Sequence, residues 1–299
     1  MDNSDILLIG SHRSGSTWVG KVIASSPTIN YIHEPFNLGS NRKWNSPVKN
    51  WFEIIDNQSS INKRKTFQHY ITKILRYDRY YTPIVSSIKK KTFPNPVNLF
   101  NQHKKFRNLV KDPLASLSAE WLHQQFNFSM IMLLRHPAAF AASLKSAKWE
   151  FDFIQLLSQN QILPHILKAH SHKIENLINS NQRNNIIDQA ILLWDIIYSS
   201  IYSYHQDHPD WIVVKHEDLS KDPISEYKSL FNKLDIEFTE LTTDYINSTT
   251  KAHNDTLVER NSLDNIYKWK KILTIEEQDY IFNALSNHHS NFYTPNDWI

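Results

Sequence analysis

An arginine, a threonine, three serines and two glycines crowd one short run near the start of the chain, Gly10-Ser-His-Arg-Ser-Gly-Ser-Thr-Trp18. A planar guanidinium can hold a phosphate bidentately, and small residues let backbone N–H groups close on the same anion. Arg13 lies inside the turn and Thr17 offers a hydroxyl just beyond it. The outline Gly10-x-x-x-x-Gly15-Ser16-Thr17 is that of the nucleotide-binding P-loop, with Ser16 in place of its lysine. That lysine serves the β- and γ-phosphates of a triphosphate, so its loss points away from ATP and GTP and towards a smaller phosphorylated nucleotide. An ordinary Gly/Ser strand-to-helix turn is the bland alternative.

Five further side chains could do chemistry. Glu34 follows the apolar stretch Ile29–Ile32 and precedes Pro35. Lys111 and Asp112 close Asn108-Leu-Val-Lys-Asp-Pro113, either as site residues or as an ion pair at a strand end. Arg135 ends Met130-Ile-Met-Leu-Leu134, and Ser143 stands eight residues later on the next helix, so the two together could hold a second phosphate. A magnesium-dependent P-loop enzyme often has an aspartate on a strand of this kind; here the strand ends in arginine. The histidines His165, His170, His172 and His205 have no metal-ligand spacing to a carboxylate, and no metal site is expected.

These groups need elements to carry them. Ile6–Ile9 is a short continuous apolar run, the pattern of a buried parallel strand, and Thr17–Ser25 reads as a helix with Trp18, Val22 and Ile23 on one face. Strands are expected at 29–32, 108–112, 130–134 and 211–214, and helices at 114–125, 138–149, 185–202 and 223–234. Strands alternating with helices predict an α/β, P-loop-like three-layer fold: a central parallel sheet of about five strands flanked by helices. In such sheets sites form beyond the carboxyl ends of the strands, which is where Arg13, Glu34, Lys111 and Arg135 all fall. Thr274 with Glu277 has the spacing of a helix-start capping box.

The whole chain bounds the function. Its 299 residues, 40% hydrophobic with nine Trp, suit a single domain over 1–299. Residues 37–105 interleave Trp44, Trp51, Phe52, Tyr70, Tyr77, Tyr80 and Tyr81 with Arg42, Lys43, Lys63, Arg64, Lys65 and Arg76, an insertion expected to shape the acceptor site. Residues 150–205 are expected to form a helical lid region. The net charge of +3 suits small cationic pockets and does not demand nucleic acid. Without cysteine there is neither a disulfide nor a thiolate metal site. The start, Met1-Asp-Asn-Ser-Asp5, is polar, and the apolar run after it is too short for a signal peptide. No segment approaches about 18 continuous apolar residues. The expectation is a cytoplasmic protein without a transmembrane segment.

Taken together, the motifs resemble the sulfotransferase family, which uses 3′-phosphoadenosine-5′-phosphosulfate (PAPS) as donor. The family's first turn, [PR]-[KR]-S-G-[ST]-T-W, is similar to His12-Arg13-Ser14-Gly15-Ser16-Thr17-Trp18. The resemblance implies that this turn binds the 5′-phosphosulfate. The family's second element, a strand-end arginine with a serine eight residues on, matches Arg135 and Ser143 and implies a 3′-phosphate site. A C-terminal loop that folds over the nucleotide before a Trp-Lys pair resembles Arg260 to Lys270, which implies donor contacts from Arg260, Ser262 and Trp269. With Ile32-His-Glu-Pro-Phe36, Val110-Lys-Asp-Pro113, Arg135-His-Pro137 and His216-Glu-Asp-Leu219, the chain looks most like bacterial members near the carbohydrate-modifying branch.

Two departures matter. Cytosolic small-molecule members keep a lysine where Arg13 stands, and a histidine base just after strand three. Here Lys111-Asp112-Pro113 occupies that place. The resemblance to carbohydrate-type and tyrosyl-type members then gives the base role to Glu34, with Asp112 as the other candidate; Arg13 and Lys111 are the further catalytic residues expected. The implied activity moves a sulfuryl group from PAPS to a hydroxyl of a glycan or glycolipid, in line, without a metal, leaving 3′,5′-ADP. A P-loop kinase of a small metabolite, or a non-catalytic nucleotide-binding protein, is the alternative. The oligomeric state is not legible.

Overall fold

The computed structural model describes residues 4–39, 45–89, 106–159, 165–180, 185–250, 262–285 and 292–298. Arg42, Lys43, Trp44 and Arg260 lie outside these residues. Strand β1 (Ile6–Gly10) leads through the glycine turn into α1 (Ser16–Ile23). Then come β2 (Ile29–His33), the long α2 (Ile61–Lys89), β3 (Arg107–Lys111), α3 (Ala119–Phe126), β4 (Ser129–Leu134) and α4 (Pro137–Ala147). After these follow α5 (His165–Asn179), α6 (Ile186–Asp207), β5 (Ile212–Lys215), α7 (His216–Lys221), α8 (Pro223–Lys233) and α9 (Glu240–Thr250). Last are α10 (Ser262–Tyr267), α11 (Trp269–Ile272) and α12 (Ile275–Leu285).

All five strands are parallel, in the order β2-β3-β1-β4-β5. From β1 the chain goes to the edge strand β2, returns to β3 beside β1, then crosses to β4 and β5 on the other side, so the strand order switches between β1 and β4. Alternation along β1 divides the core in two. Leu7 and Ile9 face one layer with Val110, Met130 and Met132, while Ile6 and Leu8 face the other with Leu109, Ile131 and Leu133. Burial on both faces explains why β1 and β4 read as unbroken apolar runs. Trp18, Val19, Val22 and Ile23 bury α1 in the second layer, and Ile187, Ala190, Leu193, Trp194, Ile197 and Ile201 bury α6 in the first.

The expected α/β architecture is present, with element ends shifted by local chemistry. The helix expected at 114–125 begins instead as a tight 3₁₀ stretch, Pro113–Ser118, and becomes α-helical only at Ala119. Serine hydroxyls explain the tightening: Ser116 Oγ donates to the Gly10 carbonyl and Ser118 Oγ to that of Glu53. Helix α4 stops at Ala147, before Trp149, because Lys148 caps it in the left-handed conformation. Strand β5 is 212–215, so Trp211 lies before it and Lys215 within it. The capping box forms as expected: Thr274 N–H donates to Glu277 Oε2 (2.8 Å) and Glu277 N–H to Thr274 Oγ1 (3.2 Å). Among the described residues no helix is long and apolar enough to cross a membrane.

Candidate active site

A cavity of about 860 Å³ opens over the carboxyl ends of the strands. Every strand contributes to its wall: His12, Arg13 and Gly15–Trp18 after β1, Glu34 after β2, Pro113 after β3, Arg135 after β4 and His216 after β5. Ser143 on α4, and Asn265, Lys268 and Trp269 from the C-terminal helices, complete the far side.

The turn after β1 is held from below. Gly10 N–H donates to Ser116 Oγ (3.1 Å), and the hydroxyls of Ser11 and Tyr198 are 3.0 Å apart. Gly15 must be glycine. Its φ is +87°, and a Cβ there would lie 2.3 Å from Cδ2 of His216. Gly15, Ser16 and Thr17 present the start of α1 to the cavity, where first-turn N–H groups and the helix dipole favour an anion. Ser14 takes no part in the wall; its hydroxyl is buried without a hydrogen-bond partner. Trp18 is pinned by a bond from Nε1 to Thr249 Oγ1 (3.1 Å).

Arg13 and Glu34 both stand on left-handed backbone, φ +64° and +43°. Such positions cost on the order of 1 kcal/mol or more for a residue with a Cβ and persist only where neighbours fix them. For Glu34 the fixing is visible: its N–H donates to Lys111 O (2.9 Å) and its carbonyl accepts from Asn37 N–H (3.1 Å). The exposed Arg13 side chain donates from Nε to Ser143 Oγ (3.0 Å). The two candidate phosphate sites thus meet directly.

Glu34 is paired rather than free. Oε1 accepts from Lys111 Nζ and Oε2 from Asn37 Nδ2 (2.6 Å). Lys111 Nζ also donates to Thr17 Oγ1 (3.2 Å), so this fully buried lysine ties the carboxylate to the phosphate turn. Burial pushes the Glu34 pKa up, but the Lys111 charge and the bonds from Lys111 and Asn37 outweigh it and hold the carboxyl below its ordinary value. Asp112 sits differently. It is fully buried, accepts from Phe36 N–H (2.6 Å) and Leu114 N–H (3.1 Å), and lies outside the cavity wall as the cap of the 3₁₀ stretch.

Arg135 is only 6% exposed. Nη1 donates to His216 Nδ1, Nη2 points at Asn265 O (3.4 Å), and Nε lies 3.7 Å from Glu217 Oε1. Its backbone carbonyl accepts from Trp194 Nε1 (3.0 Å). Arg13 and Arg135 therefore border the same cavity from two strand ends. His12 lies against Trp149, Phe140 and Phe52, with ring centroids 4.2, 5.3 and 5.7 Å away. Burial, then the Arg13 charge, lowers its pKa to about 3, so the ring is neutral. Trp269 stacks on His136, 5.1 Å apart and 12° from parallel. Of the other expected C-terminal contacts, Ser262 opens α10, and Arg260 lies outside the described residues.

Several wall residues were not singled out from the sequence. Lys21 stands four residues after Thr17 on α1, a spacing that shares a helix face and was available as a signal. His216 follows a strand end as Glu34 and Arg135 do. Asn265 and Lys268 carried no local signal; only the fold brings them over the cavity.

The glycine turn and the buried guanidinium border one cavity at the strand ends, and comparison with known proteins gives the family. The model of the sulfotransferase family matches residues 5–240. No curated protein matches the chain. Among solved structures, the sulfotransferase domain from the curacin biosynthetic pathway is 16% identical, with a TM-score of 0.45 over 95% of this chain and 98% of that one. The sulfotransferase domain of the Synechococcus PCC 7002 olefin synthase is 17% identical, with a TM-score of 0.45 over 96% and 98%. A mouse sulfotransferase complexed with PAP is 12% identical, with a TM-score of 0.44 over 97% and 87%. Since the family model takes in all five strand ends that wall the cavity, the chain belongs to the sulfotransferase family.

Proposed function

We propose that this sulfotransferase uses PAPS as donor and transfers its sulfuryl group to a hydroxyl of a carbohydrate or glycolipid, with Glu34 as base. One observation carries this: the Gly15 turn with Arg13, the buried Arg135 and the carboxylate of Glu34 all border one cavity at the carboxyl ends of the strands. Arg135 and Ser143 offer a site for the 3′-phosphate, and the turn with the α1 N-terminus offers one for the 5′-phosphosulfate. The cavity volume is ample for a nucleotide and part of an acceptor.

The chemistry follows from where charge develops. The acceptor oxygen forms a bond to sulfur as the bond from sulfur to the 5′-phosphate oxygen breaks, and the acceptor proton passes to Glu34. Charge gathers on the departing 3′,5′-ADP, where Arg13, the Thr17 hydroxyl and the N–H groups of the turn stand ready. Lys111 fixes the carboxylate relative to that turn. Its lowered pKa keeps Glu34 ionised and able to accept a proton at neutral pH; the rate then depends on positioning more than on base strength.

Support for a carbohydrate acceptor comes from Trp51 and Trp149, which both line the cavity, 6.0 Å apart and nearly perpendicular. Such faces suit the apolar CH side of a sugar ring. Trp51 and Asn37 belong to the 37–105 insertion, which is how that segment would shape the acceptor site. Transfer from labelled PAPS to a panel of glycans, lipids and peptides tests the reading. Glu34→Gln is expected to abolish turnover while calorimetry shows 3′,5′-ADP still bound. Retained turnover would take the base role from Glu34, and preference for ATP over 3′,5′-ADP would remove the donor assignment.

A further inference from the structure

Behind Arg135, on the side away from the cavity, the chain's last described segment closes over β4 and β5. Tyr293 donates from its hydroxyl to Glu217 Oε2 (2.8 Å). The other oxygen of Glu217 accepts from His136 N–H (3.1 Å) and lies 3.7 Å from Arg135 Nε. Glu217 and Arg135 are both buried. The ring of Trp298 meets His136 at 4.5 Å and the stacked Trp269 at 6.0 Å. Lys215 Nζ sits 4.8 Å over the Tyr293 ring and fixes its outer face.

Each edge of the guanidinium therefore has its own support. Nη1 is held by His216 of α7 and Nη2 by the Asn265 carbonyl of α10. Among the described residues, Nε has only the Glu217 carboxylate opposite it, at ion-pair rather than hydrogen-bond distance. The orientation of that carboxylate depends on its second oxygen, which accepts from Tyr293, far along the chain. A buried carboxylate that loses one of its donors rotates or recruits another, and the charge facing Arg135 shifts with it.

We propose that the segment 292–298 is a positioning strap: Tyr293, through Glu217, sets the Arg135 guanidinium and so tunes affinity for the donor's 3′-phosphate. Tyr293 touches neither donor nor acceptor and lies outside the residues that line the cavity. This inference rests on the assignment of Arg135 to the 3′-phosphate, so the two must be tested apart.

The experiment is calorimetric titration of the full chain with 3′,5′-ADP and with 5′-AMP, which lacks the 3′-phosphate. Arg135→Ala tests the assignment, Tyr293→Phe the strap, and Trp298→Leu the same strap at a second point. Tyr293→Phe, which keeps the ring and removes only the hydroxyl, is expected to raise the Kd for 3′,5′-ADP about five- to tenfold and that for 5′-AMP less than about twofold. Trp298→Leu is expected to act in the same direction, by about threefold. Thermal unfolding midpoints near that of the parent show that the fold is intact. Equal losses for both nucleotides in Tyr293→Phe, or no loss for either, overturn the strap even if Arg135→Ala is selective. If Arg135→Ala itself fails to distinguish the two nucleotides, the 3′-phosphate assignment falls and the strap falls with it.

Discussion

Two arginines border one cavity, and they are held in opposite ways. Arg135 is buried, with His216, Glu217 and the Asn265 carbonyl around its guanidinium and its own carbonyl fixed by Trp194. Arg13 is exposed, stands on left-handed backbone, and reaches across to Ser143 through Nε. A guanidinium set in advance suits a charge that is the same before and after reaction, as a 3′-phosphate would be. One on a short exposed turn can follow charge that appears only as the bond to sulfur breaks. On the proposed function, the contrast is a division of labour: one arginine for recognition, the other for the transition state.

That division can be broken by two substitutions. Arg13→Ala is expected to lower kcat about 10²–10³-fold, the usual cost of one donor to a developing charge, with little change in affinity for PAPS, where that charge has not yet formed. Arg135→Ala is expected to raise the Kd for 3′,5′-ADP about 10–100-fold, as loss of a charge-assisted contact does, and to leave 5′-AMP binding nearly unchanged. If both act on the same parameter, the two arginines are not specialised. Stability separates them as well. Removing the exposed Arg13 side chain is expected to change unfolding free energy by no more than about 0.5 kcal/mol, whereas Arg135→Ala costs about 1–3 kcal/mol because its buried partners lose their donor. Chemical denaturation of both variants reads this directly.

The base sharpens the contrast from the side of the turn. The Glu34 pKa is held below the ordinary carboxylate value chiefly because the Lys111 charge overcomes the effect of burial. The acid limb of kcat/KM is then expected to lie below the ordinary carboxylate range. Lys111→Met removes the charge that favours the ionised form, so the limb must move to higher pH. An unmoved limb in that variant means that Glu34 does not govern it.

The arrangement of strands was legible because β1 and β4 are short apolar runs buried on both faces, and the other three each carry a short apolar stretch that runs into a polar residue. This gave the positions of Glu34, Lys111 and Arg135, and the spacing to Ser143 gave a second point on the same rim. Ends were less legible where side chains compete with the backbone, as Ser116 and Ser118 do in the 3₁₀ stretch. What remained hidden was convergence across long separations. Nothing in the turn announces that Arg13 meets Ser143, or that Tyr293 reaches Glu217, since each partner is polar, locally unremarkable and distant in sequence. Asp112 could have been a base from its position alone; only three dimensions show both its oxygens taken by backbone N–H groups.

The smallest effect expected concerns the histidine beside each arginine. His12 and His136 are packed among aromatic rings, and in each neither ring nitrogen has a hydrogen-bond partner. Burial is the main cause that lowers both to about 3, from an ordinary 6.5. Between those values the unfolded chain binds the protons and the folded chain does not, so folding stability falls as pH drops from about 6.5 towards 3. Asp112 works the other way. Burial raises it to about 7 from 3.8, so the folded chain holds that proton more tightly and stability falls as pH rises across that window. Each group contributes a slope of at most about 1.4 kcal/mol per pH unit, and the two histidines outweigh the one aspartate below pH 6.5. His12→Phe keeps an aromatic ring among Phe52, Phe140 and Trp149, and His136→Phe keeps one against Trp269 and Trp298. Each is expected to flatten the acid limb of a stability–pH curve by about one proton's worth, measured as urea midpoints from pH 4 to 7. If only the His136 variant flattens it, the turn carrying Arg13 opens to water before the protein unfolds, and the contrast between the buried and the exposed arginine extends to their neighbours.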